Sequence, residues 1–590
     1  MLLLSLVALT GLVYANAVNH PFVYDDRQLI LENPDIRSVS NIPKIMGFTE
    51  DGFKLEDRWT REVTHAVEYA AVGLWAPLYH FTNIVLHAAV GLLVFLLVSR
   101  VFGDRLIGWW TAALWVAHPI QTEVAAQVSG RRDLLSAVFA LWFLIVMERY
   151  LRNGGGWRLP VAFALLLLGV FSKQVVLMAP GAVFLIDLYL PRDGDDRPVG
   201  LLGRTRDALL RHKGMYAALI AVTLGLAAVV LWGTSSAVGL DGSPSVYASD
   251  PVGELGFAAR MFTAGLALRM VLAPVGQACS YGYDALEIAS RGVLTPLGIV
   301  NFALFGLGVA ATSVGLWRRH WIGFAGAWFA LFFFPTSGFL IAWHEPFAER
   351  WMYLPSMGFA LCLAFVLVSM YRSPRFRQMA PVAGVMILVT LGAATHLRNR
   401  VWGSSEGLWQ NAVERYPRTS KSHKAVASLY LLQNRTALAL EHYQKALELT
   451  PSYYDAHIGV IASLTGMGKY GNALEEADRA IERWPDRSRG YGLKGTILQT
   501  LGRFDEAETA FRKSLELAPD RGNGYSDMAM LYMQQGDFDA AIEWYEKAVA
   551  EDPSLGLAFL NLESLYRHHA GNAEKADYYG RLAKDVMRDQ

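Results

Sequence analysis

Pro417, Pro451, Pro485, Pro519 and Pro553 each stand 34 residues from the next. No single helix or strand carries such a period, so the C-terminal part of the chain must be built from a repeated unit. Other positions keep the same register. Ala439, Ala473, Ala507 and Ala541 share one place in the unit, Tyr443, Phe511 and Tyr545 a second, and Ala446, Ala480, Ser514 and Ala548 a third. Gly468, Gly502 and Gly536 close its first half. Small residues let two helices approach closely, aromatics fill the gaps between units, and glycine ends a helix in a left-handed turn.

A 34-residue period with this pattern is the tetratricopeptide signature. It predicts five helix pairs over about 420–453, 454–487, 488–521, 522–555 and 556–586, the last drifting by a residue at Glu574-Lys575-Ala576 as terminal repeats do. Such a solenoid, 420–590, presents a concave groove that suits a peptide or another protein. Residues 398–419 are expected to form a linker helix ahead of it.

Residues 1–397 have a different composition. The chain as a whole is 53% hydrophobic and only 18% charged, against about a quarter charged in soluble proteins. Apolar runs near 1–18, 76–99, 106–127, 133–151, 159–172, 174–190, 214–234, 293–316, 321–341, 351–371 and 379–396 predict eleven membrane-spanning helices. The fold class is therefore all-α: a polytopic membrane domain followed by the solenoid. Met1–Val18 lacks a basic flank and is taken as an uncleaved first span. Arg100 and Arg105, then Arg149, Arg152 and Arg158, then Arg192, Arg197, Arg204, Arg206, Arg211 and Lys213, then Arg318 and Arg319, then Arg372, Arg375 and Arg377 follow even-numbered spans. These ends face the cytoplasm by the positive-inside rule, which puts the first loop, 20–75, and the repeats on the outer side. Leu255–Pro274, within the loop 235–292, carries Arg260 and Arg269 and reads as an outer-face amphipathic or re-entrant helix. A formal net charge of zero gives no footprint for nucleic acid. Two cysteines, Cys279 and Cys362, make no disulfide framework and no zinc spacing.

The outer ends of the spans collect acids, histidines and cations. Asp25 and Asp26 lie in the first loop; His118 and Glu123, then Arg131, Arg132 and Asp133, come next. Lys173 follows, and later His344, Glu345, Arg350 and Tyr353. Singly, each could be a helix-end residue, a snorkelling cation or a turn. Together they suit one outward-facing cavity with acids to accept a proton and cations to hold a phosphate.

Phe22-Val23-Tyr24-Asp25-Asp26 with Asn33-Pro34, His118-Pro119-Ile120-Gln121-Thr122-Glu123, Ser129-Gly130-Arg131-Arg132-Asp133-Leu134-Leu135 and Phe171-Ser172-Lys173 occur in this order. Ser280-Tyr281-Gly282-Tyr283-Asp284, Glu349-Arg350-Trp351-Met352-Tyr353-Leu354-Pro355-Ser356 and the repeats follow. Over nearly the whole chain this resembles the transmembrane and tetratricopeptide-repeat O-mannosyltransferases, members of the GT-C class of membrane glycosyltransferases. The chain departs from that pattern at Lys173-Gln174, where the family has an acid after the lysine.

The resemblance implies transfer of a hexose from a polyprenyl-phosphate donor to Ser or Thr of a protein held by the repeat groove, on the periplasmic or luminal face. Asp25 or Asp26 would be the base, with Asp26 preferred. His118, Glu123 and His344, with Glu345 and Tyr353 beside them, would line the sugar or the acceptor. Arg131, Arg132, Lys173 and Arg350 would hold the phosphate. No metal is required, although a divalent ion on Asp26 is compatible with the residues. Short loops and abundant arginine favour a bacterial inner membrane over the endoplasmic reticulum. Two other readings compete. An oligosaccharide-transferring ligase should carry its key residues in a large late outer loop, and the loop at His344 is short. A non-enzymatic membrane scaffold gives no reason for polar residues recurring at the outer ends of spans.

Overall fold

The computed structural model describes residues 1–49, 52–53, 59–190, 200–238, 251–282, 295–339 and 345–588. The chain forms two compact units, Met1–Thr419 and Ser420–Gln590. Both are helical; the described strands are a two-residue antiparallel ribbon, Phe48–Thr49 with Gly52–Phe53, and a bridge between Tyr281 and Phe347.

In the first unit the main helices are α1 (Leu2–Tyr14), α2 (Trp59–Val72), α3 (Ala76–Phe102), α4 (Arg105–Ala117), α5 (Arg131–Asn153), α6 (Arg158–Ser172) and α7 (Ala179–Tyr189). They continue as α8 (Leu201–Arg211), α9 (Lys213–Val238), α10 (Pro251–Leu272), α11 (Pro296–Trp317), α12 (Trp321–Phe333), α13 (Met357–Arg372), α14 (Met379–Val401) and α15 (Ser405–Arg415). Local chemistry sets the joints. Gly103, at φ +68, ends α3 in the left-handed region. Asp104 then caps α4 by accepting from Leu106 N at 2.9 Å and Ile107 N at 3.3 Å. His118 stops α4, because the residue before a proline is pushed out of the helical region. Helices α3, α4, α5, α12 and α13 share a core around Trp115, Phe143, Leu144, Trp328 and Leu361. Backbones approach closely there; a Cβ on Gly91 of α3 would meet the Val116 side chain at 2.7 Å.

The expected count of eleven spans is not reached. Among the described residues four helices, Ala76–Phe102, Val128–Asn153, Pro296–Trp317 and Met379–Val401, are long and apolar enough to cross a membrane. They become five if Leu201–Arg211 and Lys213–Val229, bent by 85°, act as one span. Five further apolar helices have only 10–17 residues. The physical reason is that several apolar runs are not single helices. The run 106–127 breaks at His118-Pro119 into α4 and short turns, and in the run 351–371 the helix begins only at Met357, past Pro355. These apolar helices mark a membrane protein, and among the described residues the helices long enough to span number four or five rather than eleven.

The second unit holds five helix pairs: Ser420–Leu432 with Thr436–Leu449, Tyr454–Gly466 with Tyr470–Arg483, Ser488–Thr500 with Phe504–Leu517, Gly522–Gln535 with Phe538–Glu551, and Gly556–His568 with Ala573–Arg588. Ala439, Ala473, Ala507 and Ala541 are fully buried where the helices of a pair meet. The aromatics of the second register reach neighbouring helices. Tyr443 lies on Gly459 of the next pair and its hydroxyl is 2.9 Å from Ser428 Oγ in its own. Phe511 covers Gly495, and Tyr545 OH accepts from Asn561 Nδ2 at 2.9 Å. Tyr545→Ala should therefore cost about 3–5 kcal/mol of unfolding free energy by cavity formation. Tyr545→Phe should cost about 1 kcal/mol, the hydrogen bond alone. Denaturant titration of both variants checks the difference.

Candidate active site

The geometry of the first loop begins with strain at Tyr24, whose φ of +58 lies in the left-handed region that a bulky side chain avoids. Its ring sits between Trp402, edge-on at 6.1 Å, and Trp409, tilted at 5.3 Å, and this aromatic clamp holds the conformation. The kink sends the two following carboxylates different ways. Asp26 is fully buried. Its Oδ1 accepts from Ser129 N at 2.7 Å, and its Oδ2 accepts from Val23 N at 3.2 Å and Val128 N at 3.4 Å. Burial lifts its pKa to about 7, against the lowering effect of those three N–H groups. Asp25 stays half-exposed, and among the described residues no hydrogen bond to its carboxylate is found.

The turn that Asp26 grips is held from its other side by Asn83 of α3, whose Nδ2 donates to Gln127 O at 2.7 Å and Val128 O at 3.3 Å. Asn83 Oδ1 in turn accepts from Arg131 Nε at 2.5 Å. Arg131 is fully buried and its remaining donors go to Glu68 Oε2 at 2.9 Å, Thr64 Oγ1 at 3.2 Å and Tyr79 O at 2.9 Å. It ties α5 to α2 and α3, with each of its three nitrogens already hydrogen-bonded within the protein.

The other cations are separate from Arg131, and of these Arg61 is the one whose charge Asp25 acts on. Asp25 and Arg132 both lie close enough to Arg61 for their charges to act on it. Lys173 is paired with Asp133, and Arg132 is 3.6 Å from the same carboxylate. Burial pushes the Lys173 ammonium down to about 8, with Arg132 and Arg350 acting in the same direction and Asp133 opposing. Arg350 donates from Nη1 to Glu123 Oε1 at 2.5 Å and from its backbone N to Glu123 Oε2 at 2.9 Å. Asp133, Ser136, Lys173, Thr336, Arg350 and Tyr353 line one small cleft. Arrays of guanidinium and ammonium groups with one uncommitted carboxylate can hold an anionic leaving group while a proton is taken up.

Tetratricopeptide-repeat models match residues 486–550 and, in a second model, 393–454 and 526–585. The match to known proteins extends well beyond the repeats. Human Protein O-mannosyl-transferase TMTC1 is 25% identical over 499 residues, 75% of this chain and 54% of that protein. The chain is a relative of the protein O-mannosyl-transferases. Human TMTC3 is 23% identical over 77% of this chain and 52% of its own length, and the Caenorhabditis elegans Protein O-mannosyl-transferase F38B6.6 is 23% identical over 76% and 63%. The chain spans about half the length of the first two relatives. Solved structures that match include MamA, at 18% identity and TM-score 0.24 over 28% of this chain and 95% of MamA. YrrB, a TPR protein with an unusual peptide-binding site, matches at 24% and 0.23 over 31% of this chain and 93% of YrrB.

Several residues shared with the motif pattern of those transferases are structural in this chain. His118 is buried, with Nε2 2.9 Å from Val271 O and Nδ1 accepting from Ile120 N at 3.1 Å, so both ring nitrogens are used. Tyr353 is buried and its hydroxyl is 2.7 Å from His87 Nδ1. Glu345 accepts from Ser280 Oγ at 3.1 Å and is 4.0 Å from Arg350. His344, Tyr283 and Asp284 lie outside the described residues. Among the described residues no three His, Cys, Asp or Glu side chains come together to hold a metal ion, and both oxygens of Asp26 face backbone N–H groups.

Sequence reasoning gave no site role to Arg61, Asn83, Glu68 or Glu349. Glu349 is fully buried and gathers four donors: Gln277 Nε2 at 3.0 Å, Ala278 N at 2.9 Å, Tyr281 OH at 2.7 Å and Arg398 Nη2 at 3.4 Å. Burial raises it to about 7. Its signal was present, since it directly precedes Arg350 in the Glu349-Arg350-Trp351 motif.

The two aspartates should separate in thermal unfolding. Asp26→Ala leaves buried N–H groups without acceptors and should lower stability by about 1–3 kcal/mol for each; Asp25→Ala should change it little. The pH response has a defined sign. An acid near 4 when unfolded and near 7 when folded favours the folded state fully below pH about 4, and loses that advantage as pH rises to about 7. Stability should fall across that window and then level, and Asp26→Ala should reduce the slope, with Glu349 supplying the remainder.

Proposed function

We propose that the chain transfers a hexose, mannose by analogy with its relatives, from a polyprenyl-phosphate donor to a Ser or Thr hydroxyl of a protein acceptor. The observation that carries this reading is the half-exposed carboxylate of Asp25 in the charge field of Arg61, in a chain related to protein O-mannosyl-transferases. Asp25 is the base in this proposal and Asp26 its anchor, the reverse of the preference drawn from sequence. Asp26 is already engaged by Val23, Val128 and Ser129, whereas Asp25 has room for an acceptor hydroxyl.

In the step, the acceptor oxygen forms a bond to the anomeric carbon and its proton passes to Asp25. The bond from that carbon to the phosphate oxygen breaks, and the electron pair leaves with the lipid phosphate. Arg132 and Lys173, with Arg61 nearby, stabilise the added negative charge. Arg350, fixed by Glu123, borders the same space. The repeats hold the acceptor in their groove. In this reading the ends of α3, α5, α11 and α13, which are followed by basic residues, face the cytoplasm, and the Asp25 loop faces the periplasm or lumen.

Purified protein incubated with a mannosyl-phosphoryl polyprenol and a co-expressed outer-face protein should add hexose, read by intact mass. Asp25→Asn should slow transfer by about 10²–10⁴-fold, the scale of lost general-base catalysis, with donor binding retained. Lys173→Ala should instead weaken donor binding. Transfer within threefold of wild type in Asp25→Asn removes the assignment of the base.

A further inference from the structure

A second cavity of the first unit is separate from the cleft described above. It has a volume of about 910 Å³ and lies between the C-terminal ends of α3, α5 and α7 and the N-terminal end of α12. From Asn83, beside the candidate site, to Arg100 at the cavity is 17 residues of one helix, or about 25 Å. That approaches the hydrocarbon thickness of a bilayer, about 30 Å. The two polar regions therefore lie at opposite ends of the bundle.

Among the described residues its rim carries Arg100, Arg105, Arg152 and Arg319 against one acid, Glu148. Glu148 is fully buried and accepts from Arg100 Nε at 2.7 Å and from Arg152 Nε. Arg152 Nη2 also donates to Arg100 O at 2.7 Å. The carboxylate thus fixes two guanidiniums whose side chains remain about one-third exposed, 32% and 33%. The neighbouring Asp104 caps α4 and is paired with Arg372. The rim keeps an excess of positive charge over a fixed geometry, the arrangement that recognises phosphate oxygens.

The walls are apolar. Trp321 stacks on Phe365 with centroids 4.9 Å apart, and Phe102 packs edge-on to Phe365 at 5.1 Å. Leu96, at 40% exposure, continues the wall outward. A small hydrophilic anion needs no such surface, whereas an amphiphile with a phosphate head and a hydrocarbon tail matches both parts. We propose that this cavity binds the phosphate headgroup of an anionic lipid in the leaflet opposite the candidate active site, with its tail along the Trp321–Phe365–Phe102 wall.

The test uses the full chain in phosphatidylcholine nanodiscs doped with phosphatidylglycerol, released into mild detergent, with retained lipids counted by native mass spectrometry. Wild type should retain phosphatidylglycerol over phosphatidylcholine. Arg105→Gln, at an exposed position, should reduce that retention several-fold, and Arg105→Gln with Arg319→Gln by about tenfold. Arg206→Gln on α8, exposed and outside the cavity, should leave it unchanged. Equal retention in wild type and Arg105→Gln, or an equal loss in Arg206→Gln, overturns the proposal. Displacement of the lipid by excess inorganic phosphate also overturns it, in favour of a free-phosphate site. If the double variant does not fold, Arg105→Gln alone decides.

Discussion

A backbone turn at residues 127–130, between α4 and α5, is the point on which the candidate site depends. Turns that are withdrawn from water must find partners for their N–H and C=O groups, and in a helical membrane domain no strand ladder is available to provide them. Asp26 supplies an acceptor to Val128 N and Ser129 N, and Asn83 supplies donors to Gln127 O and Val128 O. Arg131, at the next step of the chain, locks Asn83 in place and reaches Glu68 on α2. One turn therefore joins the first loop, α2, α3 and α5. A buried carboxylate is costly, but here it replaces several unmet backbone donors.

The same division of labour recurs in three adjacent pairs. Asp26, Arg131 and Glu349 are each fully buried and fully engaged, while Asp25, Arg132 and Arg350 keep part of their surface. Geometry makes this natural. Successive residues on an α-helix point about 100° apart and on a 3₁₀ turn about 120° apart, so neighbouring charges cannot share one environment. At 25 and 26 no helix does the separating, and the left-handed backbone at Tyr24 does so instead. Lys173 follows a related logic. Followed by Gln174, it takes its carboxylate partner from Asp133, forty residues earlier in sequence.

The repeats were legible in full because their signal is a period, and a period survives changes of individual residues. Helix positions in the membrane unit were also legible, but their lengths were not. Hydropathy averages across His118-Pro119 and Pro355, where the backbone leaves the helix, so broken segments read as complete spans. Within the candidate site, sequence named neighbouring charged residues without separating the members of each pair. It ranked Asp26 above Asp25 and gave Arg131 the same role as Arg132, because burial and hydrogen bonding are set by distant partners. Arg131 depends on Glu68 and Asn83, and Glu349 on Gln277, Tyr281 and Arg398; none of those links leaves a short-range mark.

The clamp on Tyr24 also imposes an order on biosynthesis. Trp402 follows Tyr24 by 378 residues, and at elongation rates of about 5–20 residues per second roughly 20–75 s separate their emergence. Until Trp402 and Trp409 arrive, nothing offsets the left-handed strain at Tyr24, and the two aspartates have no fixed divergence. The turn at Tyr24 is thus fixed only after the helices up to α14 have been synthesised. A nascent chain halted before α14 would contain Asp25, Asp26, Arg132 and Lys173 yet lack the aromatic clamp that separates the two carboxylates.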